Sequence, residues 1–126
     1  MRTMKVGIVK IFSPLGQLWQ THQTMKEGRE SWPRVFDNLS ETWEEEDGSD
    51  FINTAARGVG EELGLWLDTS RFTFISNEVV VKTSHSTGLL TEYTFGMYQL
   101  VLSLEEAEQL CLVADEGDKY TYFEWR

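Results

Sequence analysis

The chain has 126 residues, 40% hydrophobic and 13% aromatic, which suits one globular domain with one core and excludes a disordered chain. Its formal net charge is −10, so phosphate backbones repel it and a nucleic acid polymer is not an expected partner. No apolar run approaches the ~18 residues needed to span a bilayer, and the stretch after Met1 is too short and too broken by lysine for a signal peptide. No membrane partner and a cytoplasmic location are therefore expected.

In chain order, Lys5 to Phe12 is β-rich and reads as a buried strand. Ser13-Pro14-Leu15-Gly16 is a turn, and Gln17 to Thr24 a second strand, so the pair forms a hairpin. His22 has no histidine or cysteine at ligand spacing and reads as a strand-surface side chain. Met25 to Glu30 is a polar loop. Ser31 to Asp37 gives a third short strand, its proline suiting an edge, and Trp32 and Arg34 could stack on or clamp a nucleotide. Leu39 to Trp43 is a further short strand. Glu44 to Ser49 is an acidic turn, the usual form of a solvated loop.

Asp50 to Leu65 reads as a short amphipathic helix with a stop signal. Ile52, Ala55, Ala56, Val59 and Leu63 share one helical face. Asp50 can cap its start, and Gly64 sits where a left-handed residue is wanted. Arg57 and Glu61 are four apart, and Glu62 adjoins Glu61. Two neighbouring carboxylates at a helix C-terminus repel each other and face the negative end of the macrodipole. A divalent cation would offset both penalties, because hard cations take carboxylate oxygens. A solvated acidic face closed by a glycine stop is the plainer alternative.

Beyond the helix, Trp66 to Ser70 is a loop. Arg71 to Ser76 and Val79 to Thr83 read as strands around a tight turn at Asn77-Glu78. Ser84 to Gly88 is a loop, and Tyr93 to Leu102 the most strand-like run. Ser103 with Glu106 forms a capping box for a short helix to Leu110. Cys111, the only cysteine, lies in an apolar run and reads as a buried, inert thiol. Asp115 to Asp118 is a turn before a last strand, Lys119 to Trp125.

Arg57-Gly58-Val59-Gly60-Glu61-Glu62-Leu63-Gly64-Leu65 resembles the second half of the Nudix box, RE-U-x-EE-x-G-U with U aliphatic. Gly58 is the one misfit, where the family carries a glutamate. The first half departs further: Trp43 and Ser49 stand where the family has its glycine and first glutamate. The resemblance implies a single α/β domain over residues 1–126, a Nudix-like mixed sheet sandwiched by helices. The family usually has a last helix after a strand like Phe123-Glu124-Trp125, and the chain given stops at Arg126, so the expectation is a trimmed domain without that C-terminal helix or a missing segment that covers the face. Another subunit could cover that face, as in a homodimer.

The same resemblance implies attack of water on a nucleoside diphosphate derivative, assisted by Mg²⁺ or Mn²⁺. Glu61 and Glu62 match metal-holding glutamates, and Arg57 matches the arginine that orients box carboxylates. A small phosphorylated ligand is compatible with the acidic surface, because the metal supplies positive charge. Acids from Glu44 to Asp50, or Glu116, are the candidates to replace what the box lacks. Gly58 and Gly60 each cost the helix about 1 kcal/mol relative to alanine. A non-catalytic Nudix-like module that binds a nucleotide or protein, and an unrelated acidic α/β domain, are the alternatives.

Overall fold

The structure, a computed structural model, describes residues 1–27, 36–84 and 87–126. Its sheet is organised around β1 (Arg2–Ser13). Along one edge β1 pairs in parallel with β5 (Leu90–Val101), from Arg2 beside Thr91 to Phe12 beside Val101. Its other edge serves two strands in succession. β3 (Leu39–Thr42) runs antiparallel to Val6 through Val9, and β2 (Gly16–Met25) takes over from Ile11. The sheet therefore forks at β1. β2 continues onto β7 (Lys119–Trp125), which pairs β6 (Val113–Asp115), while β4 (Phe72–Thr83) closes the far edge against β5.

Helix α1 (Ile52–Leu63) packs against β1, β3 and β6, so it touches both arms of the fork. Its apolar stripe explains the position. Ala55, Val59 and Leu63 are buried with Val9, Ile11, Leu39 and Leu100 in one core, and Ile52 and Ala56 pack at its margin. Gly64 ends the helix in the left-handed region at φ 74°, and its N–H donates to the Gly60 carbonyl at 3.1 Å. The Cys111 N–H donates to the Leu63 carbonyl at 3.0 Å, which ties this end of the helix to the start of β6.

The start of α1 differs from expectation. Phe51, not Asp50, occupies the capping position, and no side chain caps it. Phe51 is fixed there by its ring, which lies so close over Gly96 of β5 that a Cβ on that glycine would come within 2.2 Å of it. Helix α2 (Leu104–Gln109) does begin as its sequence says. Ser103 Oγ accepts from the Glu106 N–H at 3.2 Å, and Glu106 Oε1 accepts from the Ser103 N–H at 3.0 Å.

Two further expectations are revised. Asn77 and Glu78 make no turn, because β4 runs through them paired with Gly96 and Phe95, with only a bulge between Phe74 and Ser76. Cys111 is exposed rather than buried: Leu110 and Ala114 point inward, and the period of two turns Cys111 and Val113 outward. The expected strand from Ser31 to Asp37, with Trp32 and Arg34, falls mostly outside the described residues. Asp37 itself bridges Gln20. His22 lies in β2 stacked on Tyr122 at 4.4 Å, in keeping with a strand-surface role. Among the described residues no helix is long and apolar enough to cross a membrane.

Candidate functional site

Arg57, midway along α1, is a hub for the surrounding acids. Its Nε donates to Asp47 Oδ1 at 3.2 Å, and its Nη2 donates to Asp47 Oδ2 at 2.8 Å and to the Thr42 carbonyl at 2.7 Å. Asp47 Oδ2 also accepts from Thr54 Oγ1 at 2.8 Å and from the Glu44 N–H at 2.9 Å. The Arg57 hydrogen bond, aided by the other donors, holds the Asp47 carboxyl down to about 2 despite its burial. The acidic turn expected to be solvated is thus fastened to α1 through a side chain only 5% exposed. Among its acids, Asp47 is already committed to Arg57.

The remaining guanidinium nitrogen, Nη1, faces three carboxylates at longer range. Glu44 lies at 3.5 Å, Glu41 at 3.6 Å and Glu61 at 3.7 Å. These are loose ion pairs, too long for strong hydrogen bonds. The expected Arg57–Glu61 contact is present, and it is the longest of the four ion pairs Arg57 makes among the described residues.

Glu61 and Glu62 part company because successive residues on a helix point ~100° apart. The Glu61 side chain is 50% exposed. Glu62 is 7% exposed, and its Oε2 is buried with no hydrogen-bond partner. Burial pushes the Glu62 carboxyl up to about 9, and the negative charges of Glu116, Glu41 and Glu61 add to that, with Lys119 pulling the other way. Burial also raises the Glu41 carboxyl, against the pull of Arg57. Glu116, in the turn between β6 and β7, accepts a hydrogen bond from Thr121 Oγ1.

Gly58 is where it is for a packing reason. A Cβ there would sit 2.9 Å from Glu41 Cβ and 3.2 Å from Leu39 Cδ2, so β3 presses directly on the helix. Gly60 is covered differently. Its added Cβ would meet the Trp66 indole at 2.2 Å, although Trp66 itself is 67% exposed. A cleft of about 520 Å³ opens at the other end of α1, lined by Asp50, Phe51, Phe74, Asn77, Thr94 and Tyr98 among others. It does not include Glu61 or Glu62.

The buried Glu62 oxygen tests the fit of a divalent cation. A carboxylate oxygen stripped of water and given no donor is costly. Beside it stand other acids, and such hard oxygen donors suit Mg²⁺ or Mn²⁺. The residues fit in kind. Among the described residues no group of three His, Cys, Asp or Glu side chains is already arranged to hold an ion.

Glu41 escaped the sequence reasoning, and Asp47, expected only among the acids that could replace what the box lacks, was not paired with Arg57 there. Asp47 is ten residues from Arg57, outside any helical spacing, and Glu41 comes from a different strand. The steric demand at Gly58 was the available signal, and it needs the β3 contact to be seen.

No protein-family model matches the chain, and no curated protein does. Solved structures do. The MutT/nudix family protein from Enterococcus faecalis superposes with a TM-score of 0.69 at 9% identity, covering 99% of this chain and 44% of that one. The mutator MutT protein from Bacillus halodurans gives 0.58 at 12% identity, over 94% and 67%. The NUDIX domain of Shewanella oneidensis NrtR, solved with ADP ribose, gives 0.52 at 7% identity, over 97% and 72%. This chain thus spans less than half of the Enterococcus protein. At these identities the likeness is one of fold, and with the mixed seven-stranded sheet and the α1 helix it shows that the chain has a Nudix-like fold.

Proposed function

We propose that the protein hydrolyses a nucleoside diphosphate derivative with the help of Mg²⁺ or Mn²⁺. The observation that carries this is Glu62: a carboxylate 7% exposed, with one oxygen lacking any donor, near Glu41, Glu61 and Glu116. Such an arrangement is unfavourable in the free protein and is relieved by a cation. When bound, a divalent ion polarises phosphoryl oxygens and lowers the pKa of a bound water.

Glu62 would hold the ion from the buried side and Glu61 from the solvent side. Arg57 acts as a positioning residue. By gripping Asp47 and the Thr42 carbonyl it fixes the acidic turn and the end of β3 against the helix. The cleft at the N-terminal end of α1 offers the aromatic rings of Phe74 and Tyr98 and the amide of Asn77. Ten residues of helix separate Ile52, at the cleft, from Glu62, roughly 15 Å at 1.5 Å per residue. A ligand that reaches both is extended, as a nucleoside diphosphate joined to a second group would be.

The test is turnover of a panel of nucleoside diphosphate derivatives, ADP ribose first, with Mg²⁺ or Mn²⁺. Product is expected from the wild type and from neither Glu61→Gln nor Glu62→Gln. A rise in melting temperature with ligand and metal, but no product, would make the chain a binding module instead.

A further inference from the structure

We propose that Glu41, on β3, is a ligand of the divalent cation and supplies the carboxylate that position 58 cannot carry. This rests on the hydrolase function proposed above and adds to it a residue from outside the helix.

Space is the first argument. The backbone of α1 at Gly58 approaches β3 so closely that a side chain there would start 2.9 Å from Glu41 Cβ. A side chain at residue 58 would start closer to Glu41 Cβ than two Cβ atoms come, so the space beside that part of the helix is already taken by the Glu41 side chain. Helix and strand cannot both present an acid there, and in this chain the strand does.

Direction is the second. Glu41 Oε1 lies 3.6 Å from Arg57 Nη1, and Glu61 Oε2 lies 3.7 Å from the same nitrogen. The carboxylates of Glu41 and Glu61 therefore stand within one guanidinium's reach of each other. Glu41 is also among the charges that act on Glu62, together with Glu61 and Glu116. The Glu41 side chain is 20% exposed, so it is shielded without being sealed.

Charge balance is the third. Glu116, Glu41 and Glu61 all act electrostatically on Glu62. Arg57 is turned mainly to Asp47, at 2.8 Å, and gives this group only long contacts. Lys119 acts on Glu62 in the opposite sense to those acids. Glu62 points to a ligand independently of the cluster, because its Oε2 is buried and unpartnered. A divalent ion with oxygen ligands would be held by Glu41 and Glu61, whose contacts to Arg57 are long, together with Glu62. Glu116 is a weaker candidate for the same place, because Thr121 Oγ1 already donates to it.

The experiment measures Mn²⁺ binding directly, by the loss of the free-ion paramagnetic resonance signal, alongside melting with and without Mn²⁺. Four proteins are compared: wild type, Glu41→Gln, Glu62→Gln and Glu44→Gln. Glu44 is the control, since it sits as near to Arg57 Nη1 as Glu41 but is 60% exposed. Wild type and Glu44→Gln should bind Mn²⁺ alike, and Glu62→Gln should not bind. Glu41→Gln should bind roughly 10–100-fold more weakly, while its metal-free melting temperature holds or rises because a like charge is gone. Wild-type affinity in Glu41→Gln, with binding lost in Glu62→Gln, would overturn the role of Glu41 and leave the hydrolase function standing. No binding by the wild type would overturn both. A second pair guards against misfolding: Glu41→Gly should lose affinity, and adding Gly58→Glu should restore it, because the acid then comes from the helix into vacated space. Equal weakness in the double variant would count against the exchange.

Discussion

Arg57 and Asp47 are joined by two hydrogen bonds across ten residues of sequence, one at 3.2 Å and one at 2.8 Å. The pair connects the acidic turn to α1 and is almost wholly buried on the Asp47 side. The folded Asp47 carboxyl lies at about 2, below its ordinary value of 3.8. A depressed acid stabilises the fold above its unfolded value, and that contribution is lost as pH falls through the folded one. Asp47→Asn should therefore cost about 2 kcal/mol at pH 7. Urea melts should show the gap between wild type and variant closing between about pH 4 and pH 2.

Glu62 has the opposite sign. Its folded value of about 9 exceeds its ordinary 4.5, so near neutral pH the folded state keeps a proton that the unfolded state releases. Stability of the metal-free protein should fall as pH rises from about 4.5 to about 9. Glu62→Gln removes the titrating group. It should flatten that slope and raise metal-free stability at pH 8 by a few kcal/mol on the order expected for a buried charge. Thermal melts in chelator across this range would show it.

Gly58→Ala should destabilise the protein although alanine is the better helix former. The gain of about 1 kcal/mol in propensity is outweighed by contacts of 2.9 Å to Glu41 Cβ and 3.2 Å to Leu39 Cδ2, neither of which can withdraw easily. The expected net loss is about 1–3 kcal/mol, read from denaturant midpoints.

Gly60→Ala should behave differently. The obstacle is the indole of Trp66, which is mostly in water and free to swing out. Stability should change by less than about 1 kcal/mol, because helix propensity offsets the lost indole contact. Tryptophan fluorescence should shift to the red as Trp66 leaves the helix.

Much of the scaffold was legible in the sequence. The 3.6-residue stripe from Ile52 to Leu63 placed α1 correctly, and Gly64 and Ser103 marked helix boundaries by local chemistry that tertiary contacts did not disturb. The hairpin turn at Ser13 to Gly16 was equally local. Elsewhere long-range packing decided. Asn77 and Glu78 are good turn residues, but pairing along the whole of β5 holds them extended. Asp50 could cap, yet the Phe51 ring on Gly96 sets the helix start one residue later. Of the two adjacent acids, Glu62 stands three residues from Val59 and seven from Ala55 and so flanks the apolar stripe, while Glu61 lies opposite it; helical spacing thus carried the signal for which one would be buried. Glu41 acts on Glu62 because β3 pairs with β1 at the fork, a feature no local pattern announces.

That fork also governs how the molecule is assembled. The parallel seam between β1 and β5 unites Arg2 with Thr91 and Phe12 with Val101, whereas β1–β2 and β4–β5 are nearest neighbours in the chain. Closing a seam between such distant segments carries a loop entropy that the hairpins avoid. Folding should then run from two quickly formed hairpins to a slow, rate-setting docking of one upon the other. Until that docking is complete, the inner edge of β1 stands bare.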